Sequence, residues 1–307
     1  PWNLEEGSSG SSAGSAAATV AGLVGFSIGS ETLGSIVSPC TRTGASGLRP
    51  TFGRVSRYGA MALSWSMDKL GPICRSVEDC ALVLDAIHGA DGRDPTARTV
   101  PFDWDGEAGL EGIRVGFYRA AFEEEPEDEE DRARRRFDLR ALEAVRALGV
   151  DPVPVELPSD LPTGALRIIL SAEAGAAFDE LTRSGEDDLL TRQDEDAWPN
   201  SFRRSRFIPA VEYVRANRIR TMLMDAVERS LEGVDVFVTP SYGGGVLLTT
   251  NLTGHPTVVV PSGFEEDGTP VSVSFVGGLW RDAEALAVAK AYQDATGFHE
   301  RHPAPFR

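Results

Sequence analysis

Ser11 and Ser35 lie 24 positions apart (35 − 11), each inside a run rich in serine and glycine. The first run reads Gly7-Ser8-Ser9-Gly10-Ser11-Ser12-Ala13-Gly14-Ser15, and the second Ser30-Glu31-Thr32-Leu33-Gly34-Ser35-Ile36. Glycine admits positive φ and lets a ligand approach the main chain. Successive turn residues can aim several N–H groups into one concavity that suits an anion. A hydroxyl beside that concavity supplies a nucleophile, and the N–H groups supply donors for the oxyanion of a tetrahedral intermediate. Acyl transfer needs both. Ser35, following Thr32-Leu33-Gly34, fits this description and requires a base to take its proton.

The two runs have to be brought together. Ser15 to Ala21 is alanine-rich, with Gly22 after it, and reads as a short helix. Leu23 to Ile28 reads as a buried strand. A helix followed by a strand packed on it returns the chain to its starting end. Ser11 and Ser35 are then expected side by side at one rim, with Ser11 near a helix N-terminus. Serine- and glycine-rich runs are usually flexible linkers. A linker, however, has no reason to enclose an apolar helix–strand unit.

Three motifs in order carry a family resemblance. Gly10-Ser11-Ser12-Ala13-Gly14-Ser15 resembles the Gly-Gly-Ser-Ser-Gly-Gly-Ser run of the amidase signature family. Leu33-Gly34-Ser35-Ile36 resembles its Gly-Gly-Ser-Ile run, and Gly47-Leu48-Arg49-Pro50-Thr51-Phe52-Gly53-Arg54-Val55-Ser56 its Gly-Leu-Lys-Pro-Thr-Tyr-Gly-Arg-Val-Ser run. The spacing of Ser11 and Ser35 is that of the family. The C-terminal third adds Val238-Thr239-Pro240 and Asn251-Leu252-Thr253-Gly254-His255-Pro256. The resemblance implies Ser35 as the acyl-forming nucleophile. It implies Ser11, held by a cis peptide, as the serine that passes the proton. Backbone N–H groups from Thr32, Leu33, Gly34 and Ser35 would form the oxyanion hole, and a buried neutral lysine would be the base. No cofactor and no metal are implied.

The chain departs from that pattern at the base. The family's lysine lies ahead of the first serine run, where only six residues precede Gly7 and none is a lysine. The only lysines are Lys69, which reads as a loop residue, and Lys290, in a C-terminal helix. With Pro1-Trp2-Asn3 reading like the middle of a motif, the expectation is an N-terminally truncated amidase signature domain over residues 1–307, its lysine outside this chain. Glu31 replaces the usual Asp, Leu33 a Gly and Ala13 a Gly; Leu33 restricts the oxyanion turn.

Along the rest of the chain, Ser76 caps a helix with Glu78 and Asp79 in its first turn and Cys80, Val83, Leu84 and Ile87 on one stripe. Gly112 to Phe117 reads as a strand, and Glu123 to Asp131 as a solvated acidic helix start. Ala133, Phe137, Ala141 and Val145 form a helical stripe closed by Gly149. Val150 to Leu157, with two prolines, reads as an edge strand. Thr163 to Asp188 and Pro209 to Leu231 read as helices. Val234 to Val238, Thr257 to Val260 and Val271 to Val276 read as strands, and Asp282 to Ala295 as a closing helix. Strands alternating with helices predict one α/β domain around a mixed, largely parallel central sheet flanked by helices.

The net charge of −17 argues against nucleic acid or anionic membrane as a partner. A small-molecule amide is the expected partner, with a homodimer left open. No apolar run is long enough to span a bilayer and no secretory signal is visible. Cys40, Cys74 and Cys80 are odd in number and lack metal-ligand spacing, which suggests reduced thiols in the cytoplasm. An α/β-hydrolase is the rival: Gly-x-Ser-x-Gly occurs at Gly10 to Gly14 and at Gly25 to Gly29, with His255 as its candidate base. A non-catalytic amidase-like protein and an A-type subunit of a glutamine-dependent amidotransferase stay open as well. Against the last, Glu173 to Asp179 lacks the Asn and Arg of that branch's Asn-Leu-x-Arg-x-Asp-Gly run.

Overall fold

The computed structural model describes residues 2–125 and 129–303. The first serine run leads into α1 (Ala13–Val20), and the chain returns as β1 (Ser27–Glu31). Ser35 precedes α2 (Val37–Thr43), which Gly44 ends in the left-handed conformation. Then come β2 (Ser46–Arg49), β3 (Lys69–Cys74) and α3 (Val77–Ile87). The Ser76 hydroxyl caps α3 by accepting from the Asp79 N–H at 3.0 Å, as its sequence predicts. The middle of the chain gives β4 (Val115–Tyr118), α4 (Arg119–Glu123), α5 (Glu129–Ala147) and β5 (Val153–Val155). It continues as α6 (Arg167–Ala177), α7 (Asp179–Ser184), α8 (Trp198–Ser205) and α9 (Ala210–Ser230). The C-terminal part adds β6 (Val236–Pro240), α10 (Val246–Thr253), β7 (Thr257–Phe264), β8 (Pro270–Gly277) and α11 (Asp282–Thr296). Residues 126–128 of the acidic run lie outside the described residues.

The eight strands form one mixed sheet in the order β1-β3-β2-β7-β8-β6-β4-β5. The expected α/β fold with a mixed sheet is present, but its pairings are mostly antiparallel rather than parallel. Among the described residues, only β4 pairs in parallel, with β5 and β6. Five other pairs, including the β7–β8 hairpin, run antiparallel. The parallel expectation rested on helix–strand alternation, and the turn from Glu265 to Thr269 joins β7 to β8 with no helix between.

Alternation along the strands sorts the core. Leu48, Val258 and Phe275 pack on one face with α3, α5 and α11. On the other face, Ile73 and Val259 pack with α1 and α2, and Phe237 and Val276 with α9 and α10. Close main-chain approach occurs at Gly71, where an added Cβ would lie 2.0 Å from the Leu48 carbonyl oxygen. Cys40, Cys74 and Cys80 are free and buried.

Three expectations need correction. Leu23 to Ile28 is not a buried strand: β1 begins at Ser27 and is an edge strand, and Leu23 and Phe26 are 73% and 53% exposed. Lys69 is not in a loop but opens β3 and is buried. Thr163 to Asp188 is not one helix. Phe178 interrupts it between α6 and α7, and Gly185, at φ +77°, ends α7. In contrast, α9 and the edge strand β5 fall where the sequence puts them.

Candidate active site

The two serine turns are stitched together at the start of α1. The Ser12 N–H donates to the Ser35 carbonyl oxygen at 3.2 Å. The Ser12 hydroxyl donates to the Ser30 carbonyl at 3.2 Å and accepts from the Ser30 N–H at 3.1 Å. Ser9 and Ser38 share a hydroxyl–hydroxyl bond of 2.5 Å. The Gly10–Ser11 peptide is cis. Ser11 and Ser35 thereby reach one cavity of about 730 Å³, also lined by Ser30, Thr32 and Asp68. The helix–strand return inferred from the sequence does bring the two serines to one cavity, even though β1 is an edge strand.

The turn carrying Ser35 is held by Glu31, whose structural role the sequence did not reveal. Its Oε2 accepts from the N–H groups of Ile36 and Val37 at 2.8 and 3.0 Å. Its Oε1 accepts from Arg49 at 2.9 Å and from the Asn251 amide at 2.8 Å. Arg49 donates in turn to the His255 carbonyl and to the Thr257 hydroxyl. Burial alone would raise the Glu31 pKa. The Arg49 cation and the Val37 N–H outweigh it and hold the carboxyl at about 2.

With Ile36 and Val37 committed to Glu31, none of the hydrogen bonds described in this turn draws on the N–H groups of Leu33, Gly34 or Ser35. Gly34 has φ +88°, a conformation that favours glycine, and an added Cβ would also crowd the Leu247 side chain at 3.3 Å. Thr32 is buried, and its hydroxyl donates to Asp68 at 2.5 Å. Leu33 points elsewhere: it lines a neighbouring cavity of about 450 Å³.

Neither lysine serves the cavity. Strand alternation puts Ser30 and Leu70 toward it, so Glu31 and Lys69, paired across β1 and β3, face the opposite side. The Lys69 amine is buried without a hydrogen-bond partner. Burial first, and then Arg49, push it well below the ordinary lysine range. Lys290 donates to Asp294 on α11.

The rival hydrolase triad is not assembled. The His255 ring is buried, with Nδ1 2.7 Å from the Thr253 hydroxyl and Nε2 3.4 Å from Glu228. The Ser27 hydroxyl donates to the Ser15 carbonyl.

The far wall of the cavity comes from distant sequence. Trp198 and Phe202, four apart on α8, stack at 5.5 Å between ring centres, and Phe178 stacks on Phe202 at 4.7 Å. Glu173 on α6 docks this wall onto the loop before β3. It accepts from the Ser64 hydroxyl, the Ser66 N–H and the Tyr213 hydroxyl. Leu63 and Trp65, from that loop, line the same cavity. Nothing in the local sequence of these aromatic residues marked them as site residues.

Comparison with known proteins agrees with this architecture. The family model "Amidase" matches residues 1–247. The chain is 34% identical to the A-type subunit of the glutamyl-tRNA(Gln) amidotransferase of Roseiflexus castenholzii, over 99% of this chain and 69% of that protein. Among solved structures, the peptide amidase of Stenotrophomonas maltophilia superposes with a TM-score of 0.79 at 28% identity, covering 97% of this chain and 67% of that one. The corresponding A-type subunit from Thermotoga maritima gives 0.77 at 27% identity, covering 96% and 67%. With its three ordered motifs, its paired serine turns and these matches, the chain belongs to the amidase signature family.

Proposed function

We propose that the protein cleaves the C–N bond of a carboxylic amide through an acyl-enzyme on Ser35. The observation that carries this reading is the meeting of Ser11 and Ser35 at one cavity, on two turns hydrogen-bonded to each other. The Ser35 hydroxyl attacks the amide carbonyl and passes its proton to Ser11. The oxyanion is received by N–H groups of the Thr32–Ser35 turn. Collapse expels the amine, which takes up the relayed proton, and water then releases the acid. Ser11 relays a proton but does not keep it, so a base completes the set. The family resemblance assigns that role to a lysine ahead of the first serine turn, and the placement of Lys69 and Lys290 is consistent with it.

A second reading shares the first half of this chemistry. Curated relatives at 31–34% identity are named as the A-type subunit of glutamyl-tRNA(Gln) amidotransferase, which favours glutamine as amide donor and further protein partners for this chain. Simple hydrolysis is favoured by a cavity lined with aromatic rings, whose two carboxylates are committed to neighbouring loops. No described helix is long and apolar enough to cross a membrane. Three free buried thiols support a reducing, cytoplasmic setting.

The test is covalent labelling by a fluorophosphonate in the native protein, with the modified peptide mapped by mass spectrometry. Label on Ser35 that vanishes in Ser35→Ala, with unfolding midpoints unchanged, is the expected result. Label retained in that variant removes Ser35 as nucleophile.

A further inference from the structure

We propose that the cavity takes an amide bearing a flat aromatic or bulky apolar group, seated against Phe178 and Trp198 with the buried Phe202 stacked on both, and that it does not read a free amino acid such as glutamine. This proposal rests on the reading that the cavity beside Ser35 is where the amide binds, and it specifies the substrate class.

The first argument is the wall itself. Three rings from α8 and the α6–α7 junction form a continuous stack, and Met61, Leu63 and Trp65, from the loop before β3, line the same cavity. A flat group entering there gains stacking area without ordering flexible side chains. Trp198 is 49% exposed and Trp65 52%, an apolar expense to the free protein that a bound ring would relieve.

The second argument is the fate of the charges. Recognition of an α-amino acid needs a free carboxylate for its ammonium and a free cation for its carboxylate. Among the described residues, four charged ones line the cavity: Arg57, Asp68, Arg93 and Asp94. Asp68 accepts from the Thr32 hydroxyl and from the N–H groups of Leu63 and Ser64. Asp94 accepts twice from Arg57 and twice from Thr96. Arg57 donates to Asp94, to the carbonyls of Trp65 and Asp68, and to Thr96. Arg93 lies over the Tyr58 ring at 5.1 Å. Both carboxylates are therefore committed to the loops that shape the cavity, and neither is left for a substrate ammonium. The two carboxylates and Arg57 hold the container, and the aromatic wall remains to meet the group borne by the amide.

The experiment measures equilibrium binding of 2-naphthamide and of L-glutamine to the Ser35→Ala protein, by calorimetry and by quenching of tryptophan emission. The expected result is saturable naphthamide binding, no saturable glutamine binding over the same range, and at least about a tenfold loss of naphthamide affinity in Trp198→Ala. Phe178→Ala, on a different element, guards against a local fold defect in α8, and Trp198→Phe should recover most of the affinity. Glutamine binding as tight as naphthamide would overturn the proposal. So would naphthamide affinity unchanged in both alanine variants that melt like the parent. Because the parent already lacks the Ser35 hydroxyl, this outcome is independent of the fluorophosphonate result. Loss of the Ser35 reading with the aromatic selectivity intact would leave the binding assignment standing.

Discussion

Glu31→Gln is the sharpest perturbation of the serine turn. The side chain keeps its length and loses its charge, so an amide has to face either the N–H groups of Ile36 and Val37 or the Arg49 guanidinium. Both are donors. Arg49 is fully buried and would lose its counter-charge. Removing one member of a buried pair costs roughly 3–5 kcal/mol. The lowered pKa of Glu31 points to a cost of the same order. A carboxyl held at about 2 instead of its ordinary 4.5 contributes about 3 kcal/mol to stability. Because the folded value lies below the unfolded one, that contribution is complete above 4.5 and is lost as pH falls through the folded value. By about pH 3, roughly 2 kcal/mol of it is gone. Urea unfolding of both proteins at neutral pH and at about pH 3 should show a gap of roughly 3–5 kcal/mol that narrows by about 2 in acid. Fluorophosphonate labelling of Ser35 should also slow in the variant, because the turn loses its anchor. A neutral-pH gap under about 1 kcal/mol, or one that does not narrow in acid, would refute the clamp.

Two further substitutions test features of the same region. Lys69→Met removes a buried amine without a hydrogen-bond partner, and should stabilise the protein by about 1–3 kcal/mol. The folded amine titrates below the unfolded one, so the gain should be larger near pH 6 than near pH 10; a lower melting temperature at both would count against it. Gly71→Ala drives a Cβ onto the Leu48 carbonyl and should cost about 3 kcal/mol in denaturant titration, whereas a neutral result would mean β2 and β3 separate easily.

Much of this was legible because serine turns announce themselves locally. Ser11, Ser35 and the short helix between them depend on residues within a few positions of one another. The Ser76 cap and the stop at Gly149, which has φ +85°, are equally local signals. Pairing partners were not legible in the same way. β2 binds β3 on one side and β7, some two hundred residues on, on the other, and no periodicity records which strand lies beside which. Apolar content misled at Leu23 to Ile28, because hydrophobicity speaks of burial only where a neighbour covers it. Lys69 misled in the opposite sense, since a charged residue flanked by turn residues gives no hint of an interior strand. The aromatic wall escaped notice because Phe178, Trp198 and Phe202 become one surface only after α6 and α8 pack.

The Glu31 clamp also imposes a timetable. Glu31 emerges before its Asn251 partner, which lies 220 residues downstream. At about 5–20 residues per second, roughly ten to forty seconds separate the two on the ribosome. In that interval Arg49 lacks the His255 and Thr257 acceptors, and β2 has no β7 beside it. Pairings so far apart in sequence must meet their closure cost before they return any stabilisation. The turn bearing Ser35 is thus anchored only after Asn251 and the β7 partners have emerged, so order of birth leaves that turn unclamped in any polypeptide that ends short of them.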